Sequence, residues 1–368
     1  FYTAPVVFDN PPAREVVTGD MEIAPKRDLP PLSWKLVGIC LGILLAAAGV
    51  LCAAWLVVRK IRTMVRIHRM SPIERAMYEL ENLLRKGLPG RGFFKDFYVE
   101  LTMVVRRYIE RRLNQAGGWQ VSRQAFTTAD GETHYNICAL RRGSSGKRYI
   151  IGAHYDACDT GEGPNPGADD NASAVAVLLE LAEFLPDTPP THDIELVAWD
   201  CEEPPWFDSC DMGSAHHAAG CKPEQIAGVI CLEMLGYYSD EPGSQPPLFP
   251  GHSLLLPTVG NFVAVVGNMQ ARPLARHIYA NLQCKLPAVR LNVPWAEGSE
   301  LFFSDHRNYH PLGIPAVMVT DTAMLRNPHY HEPTDTPETL DYNRLGLGTE
   351  GLIQAARQLA WSEYTDKR

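Results

Sequence analysis

A run of 23 residues without a charged side chain is the feature that most constrains how this chain can fold. The run covers residues 36–58 and reads LVGICLGILLAAAGVLCAAWLVV. At about 1.5 Å of rise per residue, a helix of this length spans the roughly 30 Å hydrocarbon core of a bilayer. A helix buried inside a soluble protein seldom stays apolar on every face. We therefore predict a transmembrane helix over residues 34–58 that contacts lipid through residues 36–58.

The charges that flank this segment predict its orientation. Five basic residues follow it directly: Arg59, Lys60, Arg62, Arg66 and Arg69. Before it, residues 20–35 hold three basic and three acidic residues. The positive-inside rule places the more basic flank in the cytoplasm. A solvated helix face is the alternative explanation of the basic run. Residues 1–33 are then an extracytoplasmic tail, which we interpret as the remnant of a larger domain.

Two helices are predicted after the span. In SPIERAMYELENLLRKG, Ser71 can cap a helix, Pro72 fits its first turn and Glu74 completes a capping box. A second helical pattern covers residues 93–114. Residues 59–117 are therefore expected to form a basic juxtamembrane helical region, in which the apolar stripes are packing surfaces.

Charge separates this basic region from the rest of the chain. The net charge is −9, but residues 59–113 hold 14 Lys and Arg against 6 Asp and Glu, whereas residues 114–368 hold 16 against 32. An acidic domain repels nucleic-acid phosphates, so we expect no nucleic-acid partner. The nine cysteines are odd in number and form no CxxC pair, which favours reduced thiols over a disulfide framework.

From about Gly118 onward, short β-rich runs alternate with helical ones. KRYIIGAHYD, DIELVAWD, GVICLEMLG and IPAVMVTD have the pattern of strands, whereas ASAVAVLLELAEFL and LGLGTEGLIQAARQLAWSEY have the pattern of helices. This alternation predicts an α/β fold over residues 118–368. Sites in such sheets form in the loops at the carboxyl ends of strands.

Histidines and carboxylates gather at those strand ends. They fall in four patches and one further glutamate: HYD at 154–156, GADDNAS at 167–173, DCEEPP at 200–205, HYHEPTDT at 329–336, and Glu233 in CLEMLG. Each patch alone is a weak signal, because HxD triplets are common and an adjacent glutamate pair is usually a solvated surface. Together they offer nitrogen and oxygen ligands that suit zinc. Two ions about 3.5–4 Å apart need a shared carboxylate to screen their repulsion.

The order of these motifs resembles a known family, the di-zinc exopeptidases that include bacterial aminopeptidases, glutamate carboxypeptidases and glutaminyl cyclases. The matching stretches cover roughly residues 118–360: GAHYDA, PGADDNASA, EEPPWF…DMGSAHHA, LEMLGYYSDEPGSQ, FFSDH and NPHYHEPTDTPETLDY. The resemblance implies a zinc-exopeptidase-like mixed sheet flanked by helices, here preceded by one transmembrane helix and a helical hairpin. It also implies two zinc ions as cofactors and a peptide as substrate.

The resemblance assigns five metal ligands. It implies that His154, Asp170 and Glu233 hold one zinc ion, and that Asp170, Glu203 and His331 hold the other, with Asp170 bridging. The second aspartate of the ADDN stretch is preferred because it stands four positions before a slot that is usually glycine in the family and is alanine here. Many relatives have aspartate where this chain has Glu233.

Three further residues receive catalytic or supporting roles. Glu202, beside the ligand Glu203, is the candidate general base for the attacking water. Tyr330 matches a tyrosine that stabilises the tetrahedral oxyanion in relatives. Asp156 is placed to accept a hydrogen bond from His154 and so fix the tautomer of its ring.

The substrate pocket is the part for which alternatives stay open. Ser304, Asp305 and His306 resemble a substrate-pocket motif, and a strand-end loop with a capping aspartate is the alternative. The Pro-rich segment 241–257 resembles a family insertion near the mouth of the pocket, and a plain surface loop is its alternative.

The predicted activity is hydrolysis of a peptide bond at a chain terminus, with the N-terminus preferred, by a membrane-anchored zinc aminopeptidase. Carboxypeptidase or glutaminyl cyclase chemistry on the same scaffold stays open, as does a catalytically silent membrane scaffold protein.

Residues 20–112 also resemble the membrane-proximal region of bacterial aerotolerance-type single-pass membrane proteins. Charge places the catalytic domain in the cytoplasm, whereas relatives of the peptidase are usually exported, so a periplasmic location is the alternative.

Overall fold

The protein is described here from a computed structural model that covers residues 33–158, 165–247, 257–294 and 300–361. The predicted tail and the central part of the Pro-rich segment 241–257 lie outside these described residues. The chain divides after Arg69 into two units, and each is described by itself.

The first unit consists, in its described part, of one long helix. Trp34–Arg69 form α1, and none of its residues is buried. By length and composition α1 is able to cross a membrane. It continues past the predicted end at residue 58 and through the whole basic run, with the Arg59 guanidinium 5.4 Å from the centre of the Trp55 ring.

The second unit begins at Met70 and is an α/β structure. Its α-helices are Pro72–Leu84 (α2), Phe94–Ala116 (α3), Ala174–Phe184 (α4), Gly213–Ala219 (α5), Arg272–Gln283 (α6) and Tyr342–Trp361 (α7). Its strands are Gln120–Thr127 (β1), Thr133–Arg141 (β2), Arg148–His154 (β3), Asp193–Trp199 (β4), Ile226–Glu233 (β5), Val263–Asn268 (β6), Ala288–Val293 (β7) and Ala316–Thr320 (β8).

All eight strands join one mixed sheet in the order β1-β2-β4-β3-β5-β8-β6-β7. The four central strands β4, β3, β5 and β8 run parallel, while β2 and β6 pair antiparallel to β4 and β8. Parallel neighbours bring the ends of β3, β4, β5 and β8 to the same edge of the sheet. The predicted mixed sheet flanked by helices is confirmed.

The two helices before the sheet pack into this unit. Ser71 caps α2 and forms the predicted capping box with Glu74. Ile109 and Leu113 of α3 have no exposed surface and belong to the main apolar core. The compact unit runs from Met70 to Arg368 and so includes α2 and α3, because α3 packs against α4. The predicted start of the peptidase domain at residue 118 stays a prediction.

The core occupies both faces of the sheet. One face is covered by α3, α4, α6 and α7, and the opposite face by α5 and the turn that follows residue 304. Trp199 is fully buried at the end of β4. A Cβ atom on Gly152 of β3 would lie 2.3 Å from its ring, so only glycine fits there. This close packing fixes the spacing between the ends of β3 and β4, where the first site residues lie.

Candidate metal centre

Three strand ends and the loop after β8 supply most of the predicted site residues. His154 is the last residue of β3 and Glu233 the last of β5, while Glu202 and Glu203 follow the end of β4. His331 lies in the loop after β8. Strand ends hold their side chains on a rigid frame, and the loop completes the group from one side.

The loop that carries Asp170 is held by long-range hydrogen bonds. Its backbone N–H groups at Asp169 and Asp170 donate to the Asp335 carboxylate at 2.9–3.1 Å. Gly167 begins the loop with a left-handed φ of 58°, and a Cβ there would lie 2.6 Å from the Asp170 carbonyl oxygen. Asn171 donates to the Leu232 carbonyl and accepts from the Met234 N–H, which ties the loop to the end of β5.

Asp170 lies between two histidines. Its Oδ1 is 3.3 Å from His154 Nε2 and its Oδ2 is 3.3 Å from His331 Nε2. One carboxylate oxygen thus faces each ring, which is the geometry of a bridging ligand. Asp169 points elsewhere: its carboxylate accepts from the Gly236 N–H and from Asn327.

We call the first group, His154, Asp170 and Glu233, the inner site. The Glu233 Oε1 atom is 3.4 Å from His154 Nε2, and its Oε2 accepts a 2.6 Å hydrogen bond from Ser304. The three ligand atoms lie within 4.8 Å of one another and all three residues are buried. Glu202 Oε2 is 3.9 Å from the same histidine nitrogen, close to the site but beyond hydrogen-bond distance.

We call the second group, Asp170, Glu203 and His331, the outer site. Glu203 Oε2 is 3.0 Å from His331 Nε2, and the His331 side chain keeps 27% of its surface exposed. The ring of Tyr330 stacks on His331 with 3.8 Å between ring centres.

Asp156 connects the two sites. Its carboxylate accepts the backbone N–H groups of Glu202 and Glu203 at 3.2 and 3.0 Å. The same carboxylate is 3.5 Å from His154 Nδ1, and the Asp156 carbonyl oxygen is 3.2 Å from it. Asp156 is therefore placed to orient the imidazole, a role that stays a prediction, and it also fixes the backbone that carries both glutamates.

Two buried carboxylate oxygens at the outer site show that a cation fits there. Asp170 Oδ2 and Glu203 Oε1 have no hydrogen-bond donor of suitable geometry. Buried polar atoms without partners are costly, and buried charges are normally paired or bound to a metal. Oxygen and imidazole donors at these separations suit zinc.

Backbone strain also concentrates at this edge of the sheet. His331 has a φ of 58°, and Cys201 and Met234, next to Glu202 and Glu233, have values of 59° and 45°. Residues other than glycine rarely adopt this left-handed region, and such residues cluster at functional sites.

A cavity of about 330 Å³ opens beside the two sites. Its polar side is formed by Asp170, Glu202, Glu203, Glu233, Tyr330 and His331. Its apolar side is formed by side chains of β6, β7 and β8, with Val266, Leu291 and Met318 among the lining residues, and by Phe262 just before β6.

Residues 136–356 match peptidase family M28. The chain belongs to that family. An uncharacterized Escherichia coli (strain K12) protein, YfbL, is 44% identical over 230 residues, which is 61% of this chain and 70% of the relative. A probable leucine aminopeptidase of Arthroderma otae is 23% identical over 72% of this chain and 68% of its own length.

Solved structures share the fold of this M28 peptidase. The Legionella pneumophila aminopeptidase LapA matches with a TM-score of 0.54 at 18% identity, over 72% of this chain and 66% of its own. The glutaminyl cyclase of Tannerella forsythia matches with a TM-score of 0.51 at 20% identity, over 70% and 90%. The predicted membership of the zinc exopeptidase family is confirmed. The family match and these relatives also support the interpretation of the chain as a zinc metallopeptidase.

The pKa values at this site are shifted because several carboxylates are buried close together. Burial, followed by repulsion from Asp170, raises the pKa of Glu203 to about 8, and burial raises the pKa of Glu202 well above its usual range. Although burial opposes it, pairing with Asp170 and Glu203 raises the pKa of His331 to about 10. Without a metal ion, these groups keep protons that a bound cation would displace.

The proposed substrate-binding trio lies away from the cavity. Ser304, Asp305 and His306 have no exposed surface, and none of them is among the described lining residues. Ser304 instead donates to Glu233, and burial raises the pKa of Asp305 to about 7. A role in substrate binding stays a prediction for these residues, while their position is that of a layer behind the inner site.

Sequence reasoning did not single out the residues that hold the site from behind. Asp335 lies in the HYHEPTDT patch and Asn171 in the GADDNAS patch, but neither was assigned a role. Asp321 accepts the Tyr237 N–H at 2.8 Å and so holds the turn after Glu233. Cys158, four residues after His154, lies beside the outer site. The available signal was a place in or beside a polar motif for Asp335, Asn171 and Cys158, and a place directly after an apolar strand for Asp321.

Proposed function

We propose that this chain is a zinc-dependent aminopeptidase that removes residues from the N-termini of peptides. One observation carries the choice of terminus: every ionisable side chain that lines the described part of the cavity is a carboxylate, a tyrosine or a histidine, and none is Lys or Arg. With zinc bound, Asp170, Glu203 and Glu233 would be neutralised, and the Glu202 carboxylate would stay available to attract a substrate's α-ammonium group. A C-terminal carboxylate would lack a cationic side chain to bind it there.

The cavity also supports an apolar side chain at the cleaved residue. Phe262, which precedes β6, Val266 of β6 and Met318 of β8 belong to a small apolar cluster that lines the cavity. Apolar pockets with a few convergent polar groups are the usual form of a small-ligand site. The amino end and the side chain of a substrate would then occupy opposite sides of one cavity.

Two zinc ions would be held by the inner and outer sites through the five residues described above. When bound, zinc supplies Lewis acidity that activates the attacking water and the scissile carbonyl. Glu202 takes the proton of that water and delivers it to the leaving amine, because its carboxylate lines the cavity, lies 3.9 Å from His154 Nε2 and is not among the five ligands assigned to zinc. Burial raises the pKa of the Tyr330 hydroxyl, so it stays protonated and can donate to the developing oxyanion.

A panel of aminoacyl-anilides tests this function. The full chain should release anilide from substrates with a free amino group, most rapidly from those with apolar side chains, and chelator should abolish the reaction. Amino-blocked anilides and C-terminal dipeptide substrates serve as matched controls. Cleavage of the C-terminal substrates alone, or cyclisation of N-terminal glutamine without hydrolysis, would assign the scaffold to carboxypeptidase or glutaminyl cyclase chemistry.

We further propose that α1 anchors the peptidase in a membrane with its C-terminal side in the cytoplasm. The proposal is supported by the apolar length of α1 and by the five basic residues that follow residue 58. Protease added to intact cells should leave the catalytic unit uncut. Digestion from outside would place that unit in the periplasm instead.

A further inference from the structure

A cysteine lies beside the outer site and is not among the family's five ligands as assigned above. The Cys158 sulfur, a Glu203 carboxylate oxygen and a His331 ring nitrogen all lie within 4.8 Å of one another. Cys158 stands on the loop that leaves β3, two residues after Asp156, and is 7% exposed. Strand β3 thus ends at a ligand of the inner site, and the loop that follows it brings a thiol to the outer one.

A second observation indicates that a cation binds beside this cysteine. Glu203 is 3% exposed, yet its Oε1 atom has no hydrogen-bond donor of suitable geometry. A buried carboxylate oxygen that points to no donor is expected where a cation binds. The same glutamate is a member of the group that includes Cys158, so the thiol and the carboxylate that carries the unsatisfied oxygen belong to one cluster.

The chemistry of the donors favours direct coordination over simple packing. Zinc binds thiolate sulfur at about 2.3 Å and imidazole nitrogen at about 2.0–2.1 Å, so ligand atoms around one ion lie within the separations seen here. A thiol that coordinates zinc gives up its proton outright. A buried cysteine that only packs would act as a small apolar side chain.

We propose that Cys158 is a thiolate ligand of the metal ion held by Glu203 and His331. The inference rests on the proposed metal centre but not on the substrate. It makes the two sites chemically unequal: the inner site offers only nitrogen and oxygen, whereas the outer site adds a soft sulfur donor. The outer site should consequently favour zinc, cadmium and cobalt over manganese and magnesium.

Cobalt substitution of the full chain tests the proposal without measuring activity. The metal-stripped protein is titrated with Co²⁺, and visible d–d absorption reports how much cobalt is bound. Absorption in the near ultraviolet reports thiolate-to-cobalt charge transfer. The parent chain should show both, and Cys158→Ser should keep visible absorption while it loses the near-ultraviolet band. Loss of a ligand should also weaken binding of one of the two ions by at least about 10-fold.

Cys231→Ser is the matched control. Cys231 is also buried, and its sulfur is 3.0 Å from Ser304 Oγ, the hydroxyl that donates to Glu233 at the inner site. This variant should keep the near-ultraviolet band. Should Cys158→Ser fail to fold, X-ray absorption of the cadmium-loaded parent chain must still detect a sulfur ligand.

The outcomes separate this proposal from the proposed function. Two bound cobalt ions without a near-ultraviolet band, or a band that survives in Cys158→Ser, would overturn the thiolate ligand and leave the aminopeptidase proposal standing. No cobalt binding at all would overturn both.

Discussion

The inner and outer sites share Asp170 but are built differently. At the inner site, His154 and Glu233 are the final residues of two adjacent central strands, and the His154 side chain is 1% exposed. At the outer site, His331 comes from a loop in a left-handed backbone conformation and is 27% exposed. The inner site is therefore part of the buried core at the end of the sheet, whereas the outer site needs a partly exposed loop residue as its third ligand.

This difference indicates a division of roles. The inner ligands are fixed by strand pairing and by the hydrogen bond from Ser304, so a metal ion there should also stabilise the fold. At the outer site, His331 depends on the loop after β8 for its position, and Asp170 and Glu203 each carry an unsatisfied carboxylate oxygen. An ion there should exchange more readily. The predictions below test this division, beginning with the largest expected effect.

Replacing the proposed general base should separate catalysis from metal binding. Glu202→Gln keeps the size of the side chain but cannot accept the proton, so turnover should fall by roughly 10²–10⁴-fold or more. Zinc content should not change, because Glu202 is not a ligand of either site in this account. Turnover and zinc content measured on one preparation check the prediction.

Glu203→Gln is the matched contrast at the neighbouring position. It should lower both turnover and zinc content, because it removes an outer-site ligand. Near-parental turnover of Glu202→Gln at full zinc occupancy would mean that another residue is the base, and the roles of the two glutamates would have to be exchanged or redrawn.

Stability should distinguish the two histidines. Removing one partner from a buried charged group typically costs about 3–5 kcal/mol, so His154→Ala should lower the free energy of unfolding of the metal-free chain by about that amount. His331→Ala should cost clearly less, since its side chain is partly exposed. Urea unfolding in the presence of chelator measures both. Equal losses would contradict the division between a buried inner site and a partly exposed outer site.

The hydrogen bond that supports Glu233 should matter at the inner site alone. Ser304→Ala removes the 2.6 Å hydrogen bond to Glu233 Oε2. Loss of such a supporting partner typically weakens metal affinity by about 10–100-fold. Competition with a calibrated chelator should show one weakened ion and one unchanged ion. Weakening of both ions would indicate that the sites do not act separately.

Protons should compete with metal at the outer site. The pKa of Glu203 is raised to about 8 and that of His331 to about 10, so both groups hold protons at neutral pH in the metal-free chain. Raising the pH removes these protons, and the apparent affinity should rise by up to about tenfold per pH unit for each proton displaced. The rise should level off above the higher pKa. Zinc titrations from pH 6 to 10, with proton release recorded, check the sign; an affinity that falls with pH would contradict it.

Much of the fold was predictable because its strands are buried on both sides. YIIGA, LVAW, VICL and AVMV are continuous apolar runs, and they lie in the four central parallel strands of the sheet. The packing of α3 was not predictable from its stripe, since an amphipathic helix gives no sign of which surface covers it. Its Ile109 and Leu113 are buried by elements whose sequences lie far downstream.

The candidate metal ligands were predictable from the sequence, whereas the residues that hold them in place were not. Motif order identified the five candidate ligands, which the structure brings together at one edge, although their function as ligands stays a prediction. The hydrogen bonds from Asp169 and Asp170 to Asp335 span about 165 residues and leave no local pattern. The thiol of Cys158 was overlooked for a related reason, because its neighbours Glu203 and His331 are close only in the folded chain.

Zinc content per chain tests the central claim most directly. Metal analysis of the purified full chain should give about two zinc ions in the parent and in Glu202→Gln, and about one in His331→Ala, which keeps the inner site. Asp170→Asn should fall below the parent as well, because the bridging carboxylate serves both sites. A parent chain with one zinc ion, or a His331→Ala chain that still holds two, would contradict a centre built from an inner and an outer site.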